Sequence, residues 1–78
     1  MHNGSMMVFK LSEVLGRHRI KQATLAKRAG LTPALVHALY HGKRKRLEVA
    51  HIGAILDAIE DMTGVRYGVG DVLEWRRE

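Results

Sequence analysis

The chain has 78 residues with a hydrophobic fraction of 46%, which predicts one small globular domain rather than a disordered tail. It contains no cysteine, so disulfide bonds and thiolate chemistry are excluded. No apolar run approaches the length of a membrane span, and no signal-peptide pattern opens the sequence. A soluble cytoplasmic protein is therefore expected.

The net charge of +5 conceals an uneven distribution along the chain. Residues 10–46 contain ten Lys and Arg against a single acid, which gives +9. Residues 47–78 contain three Arg against seven Asp and Glu, which gives −4. Solubility alone does not require such a separation of sign. The distribution predicts that the first half presents a cationic surface to an anionic partner.

The apolar pattern predicts an all-α domain. Residues 1–8 are interpreted as an N-terminal extension, either a tag remnant or a disordered segment, and residues 9–76 as the domain. Helical spacing of apolar residues within it predicts five helices. They cover residues 9–18, 22–29, 33–41, about 48–63, and a short segment from Asp71 through Trp75. No strand pattern is long enough to build a sheet.

The link between the second and third helices carries the clearest local signals. Gly30 follows the last periodic residue of the second helix, which predicts a left-handed C-terminal cap. Thr32 supplies a hydroxyl N-cap for the third helix, and Pro33 takes its first position, where the missing N–H costs nothing. Two short helices joined by a tight glycine turn are typical of a helix-turn-helix.

The helices also predict what is buried. The second is expected to bury Ala23, Leu25, Ala26 and Ala29. The fourth is expected to bury Val49, Ile52, Ile55, Leu56, Ile59 and Met62. Gly53 costs about 1 kcal/mol relative to alanine inside a helix, which predicts close approach of a neighbouring helix. His18 and His51 are expected to face solvent.

With these elements in place, the sequence resembles the Cro and phage-repressor-type (XRE-type) helix-turn-helix regulators. The shared residues, in the family's spacing, are Gln22, Leu25-Ala26, Gly30, Val36 and Leu39-Tyr40-His41-Gly42. The resemblance extends from Leu11 to about Trp75. It implies a compact five-helix, lambda-repressor-like domain whose third helix enters the major groove of duplex DNA. Departures from the family pattern lie at Lys21, His41 and Pro33-Ala34-Leu35.

The resemblance also implies which side chains meet DNA. Those expected to face base edges are Thr32, Ala34, His37 and Ala38. Those expected to contact phosphates are Lys21, Gln22, His41, Lys43, Arg44, Lys45 and Arg46. The run of four cations would then end the motif because the chain there leaves the groove and crosses the phosphate backbone.

The expected function is sequence-specific DNA binding by a transcriptional regulator. A repressor is favoured over an activator, because no effector domain is visible and occupancy of a promoter is sufficient to block transcription. Two alternatives stay open: an antitoxin that binds a toxin protein and its own promoter, and a protein that coats nucleic acid without sequence preference.

A homodimer that is nucleoid-associated when bound to DNA is expected. Its interface is predicted at Val69, Val72, Leu73 and Trp75, although Val72 and Trp75 suit a role in closing the core equally well. His37 and His41 have a spacing that a metal could use, but no third ligand is evident, so neither a metal nor a cofactor is expected. No set of residues has the spacing of a catalytic site, so an enzyme is the least favoured of the functions considered.

Overall fold

The computed structural model describes residues 4–77. Its helices are α1 (Leu11–His18), α2 (Gln22–Ala29), α3 (Pro33–Tyr40) and α4 (Val49–Thr63). Two short strands, β1 (Met6–Phe9) and β2 (Leu73–Arg76), form an antiparallel pair, and a single 3₁₀ turn at Val69–Asp71 leads into β2. Within this range no helix combines the length and apolarity needed to cross a membrane.

The strand pair corrects the all-α, five-helix expectation. The segment predicted as a fifth helix forms the end of the 3₁₀ turn and β2. Its partner β1 includes three residues, 6–8, that the sequence assigned to an N-terminal extension, so the folded unit begins no later than Met6. Pairing between the two ends of a chain leaves no local periodicity to detect. The predicted extension at residues 1–3 lies outside the described residues.

Polar contacts fasten the sheet to α1. The backbone N–H of Lys10 donates to the Val72 carbonyl at 2.8 Å, which continues the strand pairing to the start of the helix. Glu74 accepts hydrogen bonds from Arg76, and its carboxylate lies 3.4 Å from the Lys10 Nζ. Arg76 first, and then Lys10, hold the pKa of Glu74 below its ordinary value. This contribution to stability is present at neutral pH and is lost as the pH falls through the lowered pKa.

The core lies where the four helices and the turn before β2 meet. Its buried side chains are Leu11, Val14, Leu15, Leu25, Ala26, Val36, Leu39, Ile55, Ala58, Ile59 and Val72. Half-buried apolar residues, among them Phe9 and Leu73 of the sheet, pack around this cluster. The sequence left two roles open for Val72, in the core or at a dimer interface. The structure places it in the core, because only 4% of the residue is exposed.

Several expectations about burial are wrong. Ala23 is exposed, and Val49 at the start of α4 is 88% exposed, because no other element of the described chain covers those helix faces. His18 is half-buried, with its Nε2 2.7 Å from the Tyr67 hydroxyl. His51 is also half-buried. The neighbouring helix expected at Gly53 is missing among residues 4–77, since a Cβ placed there would meet no atom within 4 Å.

The cap of α3 gives a direct test of local stability. Thr32 Oγ1 accepts a hydrogen bond from the Leu35 N–H at 3.2 Å, as the sequence predicts for this N-cap. Thr32→Ala should lower the free energy of unfolding by about 1 kcal/mol, because the N–H loses its partner. Thr32→Ser keeps the hydroxyl and should retain most of the stability. Urea unfolding without DNA measures both, and equal losses in the two variants would contradict the cap.

Candidate nucleic-acid interface

The turn between α2 and α3 sets the position of these two helices relative to each other. Gly30 ends α2 with φ of 70°, and the following N–H, that of Leu31, donates to the Ala26 carbonyl at 2.9 Å. The side chains of Leu25 in α2 and Val36 in α3 are completely buried and pack the helix pair onto the core. The two helices therefore form one rigid unit with the turn that the sequence predicts.

A polar contact joins the start of α2 to the exposed face of α3. Gln22 Oε1 lies 3.2 Å from Nδ1 of His37, which is hydrogen-bond distance when Nδ1 carries the proton and donates. The ring of His41 stands one turn further along, with its centroid 4.2 Å from that of His37. Among residues 4–77, no group of three or more His, Cys, Asp or Glu is placed to hold a metal ion.

The face of α3 opposite the core carries most of the residues that the sequence assigned to bases. Thr32, Ala34 and His37 are exposed, as is His41. Ala38 is half-buried, so it presents less surface than expected. This exposed face, defined here by Thr32, Ala34 and His37, is called the α3 face below.

A second glycine directs the chain away from α3. Gly42 has φ of 68°, and the N–H of Lys43 donates to the Ala38 carbonyl at 2.8 Å, which closes the helix end. Phe9 of β1 packs against this glycine, since a Cβ there would lie 3.3 Å from the Phe9 Cδ1. The direction of the following loop therefore depends on β1, a role of Phe9 that sequence reasoning missed. The signal in the sequence was the glycine at position 42, which directly follows the apolar pattern of the third helix.

The loop 43–46 presents positive charge that the rest of the described chain does not neutralise. Lys43, Arg44, Lys45 and Arg46 are all exposed. None has a carboxylate within 4 Å among residues 4–77, and the same is true of Lys21, next to Gln22. By contrast, Lys10 and Arg28 have carboxylate partners, Glu74 and Asp61. Cations without partners are free to bind an external anion.

The residues predicted for a dimer interface fall into two groups: Val72 belongs to the core, and the other three reach the surface. Val69 and Trp75 are each 56% exposed, and Leu73 is half-buried. Trp75 lies opposite Met7 in the strand register, and Leu73 lies opposite Phe9. These pairs share one face of the sheet, because alternate residues of a strand point the same way. The face is thus apolar from the core edge to the exposed indole.

The comparison with family models agrees with this geometry. The model described as the Cro/C1-type HTH DNA-binding domain matches residues 10–77, which span α1 through β2. No curated protein and no solved structure matches the chain. The family match confirms the resemblance based on Gln22, Gly30 and the Leu39-to-Gly42 segment.

The Gln22–His37 contact predicts energetic coupling between these residues in DNA binding. Gln22→Ala and His37→Ala should together cost less than the sum of their separate effects, by about 0.5–1.5 kcal/mol, because either change alone breaks the hydrogen bond. A double-mutant cycle measures this on a duplex selected from a random pool. Gln22→Ala with Lys43→Ala is the control and should be additive, because Lys43 is exposed and has no ion-pair partner among residues 4–77. Additive effects in the first pair would show that Gln22 does not orient His37.

Proposed function

The chain belongs to the Cro/C1-type HTH DNA-binding domain family, and we propose that it is a sequence-specific transcriptional repressor that binds duplex DNA as a homodimer. The observation that carries the proposal is the position of the α3 face beside the loop 43–46. A helix surface that presents a methyl group, a hydroxyl and an imidazole ring is suited to base edges, and the unpaired cations that follow it are suited to phosphates. This role requires binding rather than catalysis.

In this proposal α3 lies in the major groove. The methyl groups of Ala34 and, to a lesser extent, Ala38 meet thymine methyls, and the Thr32 hydroxyl reaches a base or a phosphate. His37 has a more specific part. When its Nδ1–H donates to Gln22, the neutral ring presents Nε2 as an acceptor. Such an acceptor pairs with the amino group of adenine or cytosine in the major groove.

Phosphate contacts supply most of the affinity. Lys21 and Gln22 at the start of α2, His41 at the end of α3 and the loop 43–46 would flank the groove on both sides of the α3 face. Each phosphate neutralised releases condensed counterions, which favours binding to any sequence. Bases read by α3 then select the site.

Repression follows from occupancy of a promoter by the bound dimer. The protein would act in the cytoplasm, on the nucleoid. The proposed dimer contact includes Val69, Leu73 and Trp75, whose exposed surfaces are apolar. Two recognition helices about 34 Å apart would read a palindrome, which one copy alone cannot do.

The loop 43–46 should control the salt dependence of binding. Changing all four residues of the loop to Ala should lower the magnitude of the slope of log K against log salt by about 0.9 for each phosphate that is no longer neutralised. Selected and random duplexes should weaken about equally, because phosphates carry no sequence information. Arg66→Ala with Arg77→Ala is a control in the acidic half and should leave the slope unchanged. An unchanged slope in the loop variant would remove the loop from the interface.

His37 should determine preference at one base pair. His37→Ala should cost about 1–3 kcal/mol on the best duplex and relax selection at a single A·T or C·G position. Selection of bound duplexes from a random pool, repeated with the variant, measures the change. A uniform loss over all sequences would assign His37 to a phosphate. Unchanged affinity and selection would contradict the proposed placement of α3.

A further inference from the structure

The end of α1 has a backbone conformation that its residue disfavours. Arg19 is the C-cap of α1, with φ of 55° and ψ of 41°, in the left-handed region. Among residues 4–77 it is the only residue other than glycine with a positive φ. A side chain in this conformation crowds its own backbone, whereas glycine adopts it without strain. Strained residues that a fold tolerates are concentrated at functional sites, so this arginine calls for an explanation.

The other three helices end with a glycine in the same conformation. These glycines are Gly30, Gly42 and Gly64, with φ of 70°, 68° and 76°. Arg19 serves α1 in the same way, because the next N–H, that of Ile20, donates to the Leu15 carbonyl at 2.9 Å and closes the helix end. Glycine would make the same turn at lower cost to stability. The folded backbone therefore does not account for the arginine.

The Arg19 side chain has no electrostatic partner inside the described chain. It is exposed, and no carboxylate lies within 4 Å of its guanidinium among residues 4–77. Arg17, two residues earlier, differs, because it donates a hydrogen bond to the Tyr67 hydroxyl at 3.1 Å. A guanidinium without an internal partner is free to bind an oxyanion from outside.

The link between α1 and α2 places Arg19 beside the candidate interface. Ile20 packs against the core, whereas its neighbours Arg19 and Lys21 are exposed. Three trans peptide bonds separate Arg19 from Gln22, so their Cα atoms are no more than about 11 Å apart. Gln22 in turn contacts His37 of the α3 face. Arg19 therefore stands at the edge of the surface that carries the base-facing residues.

We propose that Arg19 binds a phosphate of duplex DNA and extends the interface from the two helices of the motif to the link before them. A guanidinium matches the geometry of a phosphate and can donate two parallel hydrogen bonds to it. The loop 43–46 follows the end of α3, whereas Arg19 and Lys21 precede α2, so these cations would contact phosphates at two separate places. This role rests on the proposed function for duplex DNA as the partner, and not on a dimer or on a base contact.

The proposed role predicts that stability and DNA binding respond to one substitution in opposite directions. Arg19→Gly relieves the left-handed backbone, so the thermal midpoint without DNA should hold or rise. Loss of one phosphate contact should lower the magnitude of the slope of log K against log salt by about 0.9. The change in Kd between 50 and 200 mM salt should then be smaller by about 3.5-fold. Fluorescence anisotropy with selected and random duplexes measures both quantities, and the two duplexes should weaken equally.

Two further variants at the same position separate charge from backbone. Arg19→Lys keeps a cation on the same strained backbone, so it should retain the salt slope and gain no thermal stability. Arg19→Asn removes the charge with a residue that tolerates the left-handed region. It should lose the same part of the slope as Arg19→Gly, which shows that the loss does not come from glycine flexibility.

Arg66→Gly is the matched control for net charge. It makes the same substitution at an exposed arginine, but the Arg66 guanidinium lies 3.3 Å from the Glu60 carboxylate. The salt slope should therefore be unchanged. An equal loss of slope in Arg66→Gly and Arg19→Gly would assign the effect to net charge and overturn the phosphate contact.

Other outcomes would also overturn it. These are a wild-type slope in Arg19→Gly, and a large fall in thermal midpoint in both Arg19→Gly and Arg19→Asn, which would make the arginine structural. If the loop variant loses slope while Arg19→Gly does not, the proposed function stands and the Arg19 contact alone is contradicted.

The same titrations test the proposed function separately. A wild-type protein that binds selected and random duplexes alike, and loses slope on Arg19→Gly, would contradict sequence-specific regulation and support the phosphate contact. A wild-type protein that binds no duplex would contradict both.

Discussion

The packing of α2 on α3 is the constraint on which the rest of the structure depends. Leu25 and Val36 are completely buried beneath the two helices, and Gly30 supplies the positive φ that reverses the chain between them. A larger residue at the buried Ala26 would separate the helices. The Gln22–His37 contact exists only because this packing brings the start of α2 beside the middle of α3.

The two ends of the described chain contribute to the position of the cationic loop. β1 pairs with β2, and the last residue of β1, Phe9, packs on Gly42, where α3 ends. A contact between residues 33 positions apart in sequence thus fixes the direction in which the loop 43–46 leaves the helix. The small sheet is therefore part of the support of the candidate interface, although none of its residues is proposed to touch DNA.

Local signals make the helix-turn-helix predictable, and nonlocal pairing makes the sheet unpredictable. The sequence predicts α2 at the observed bounds, because Gly30 gives an unambiguous end to it. It predicts a helix where β2 forms, since Val72, Leu73 and Trp75 fit either periodicity in so short a segment. The exposure of Val49 does not follow from α4 alone, because periodicity shows that a face is apolar and not whether another element covers it.

The small size of the domain gives significance to the apolar residues along one side of α4. A 78-residue domain buries a smaller fraction of its unfolded-chain surface than a larger domain does, so apolar area left in water costs it a larger share of its stability. Scattered exposed apolar residues are ordinary, but Val49, Ile52 and Leu56 form one stripe that continues into the sheet face. The exposed stripe therefore lowers the stability of the isolated domain, because its apolar side chains stay in water.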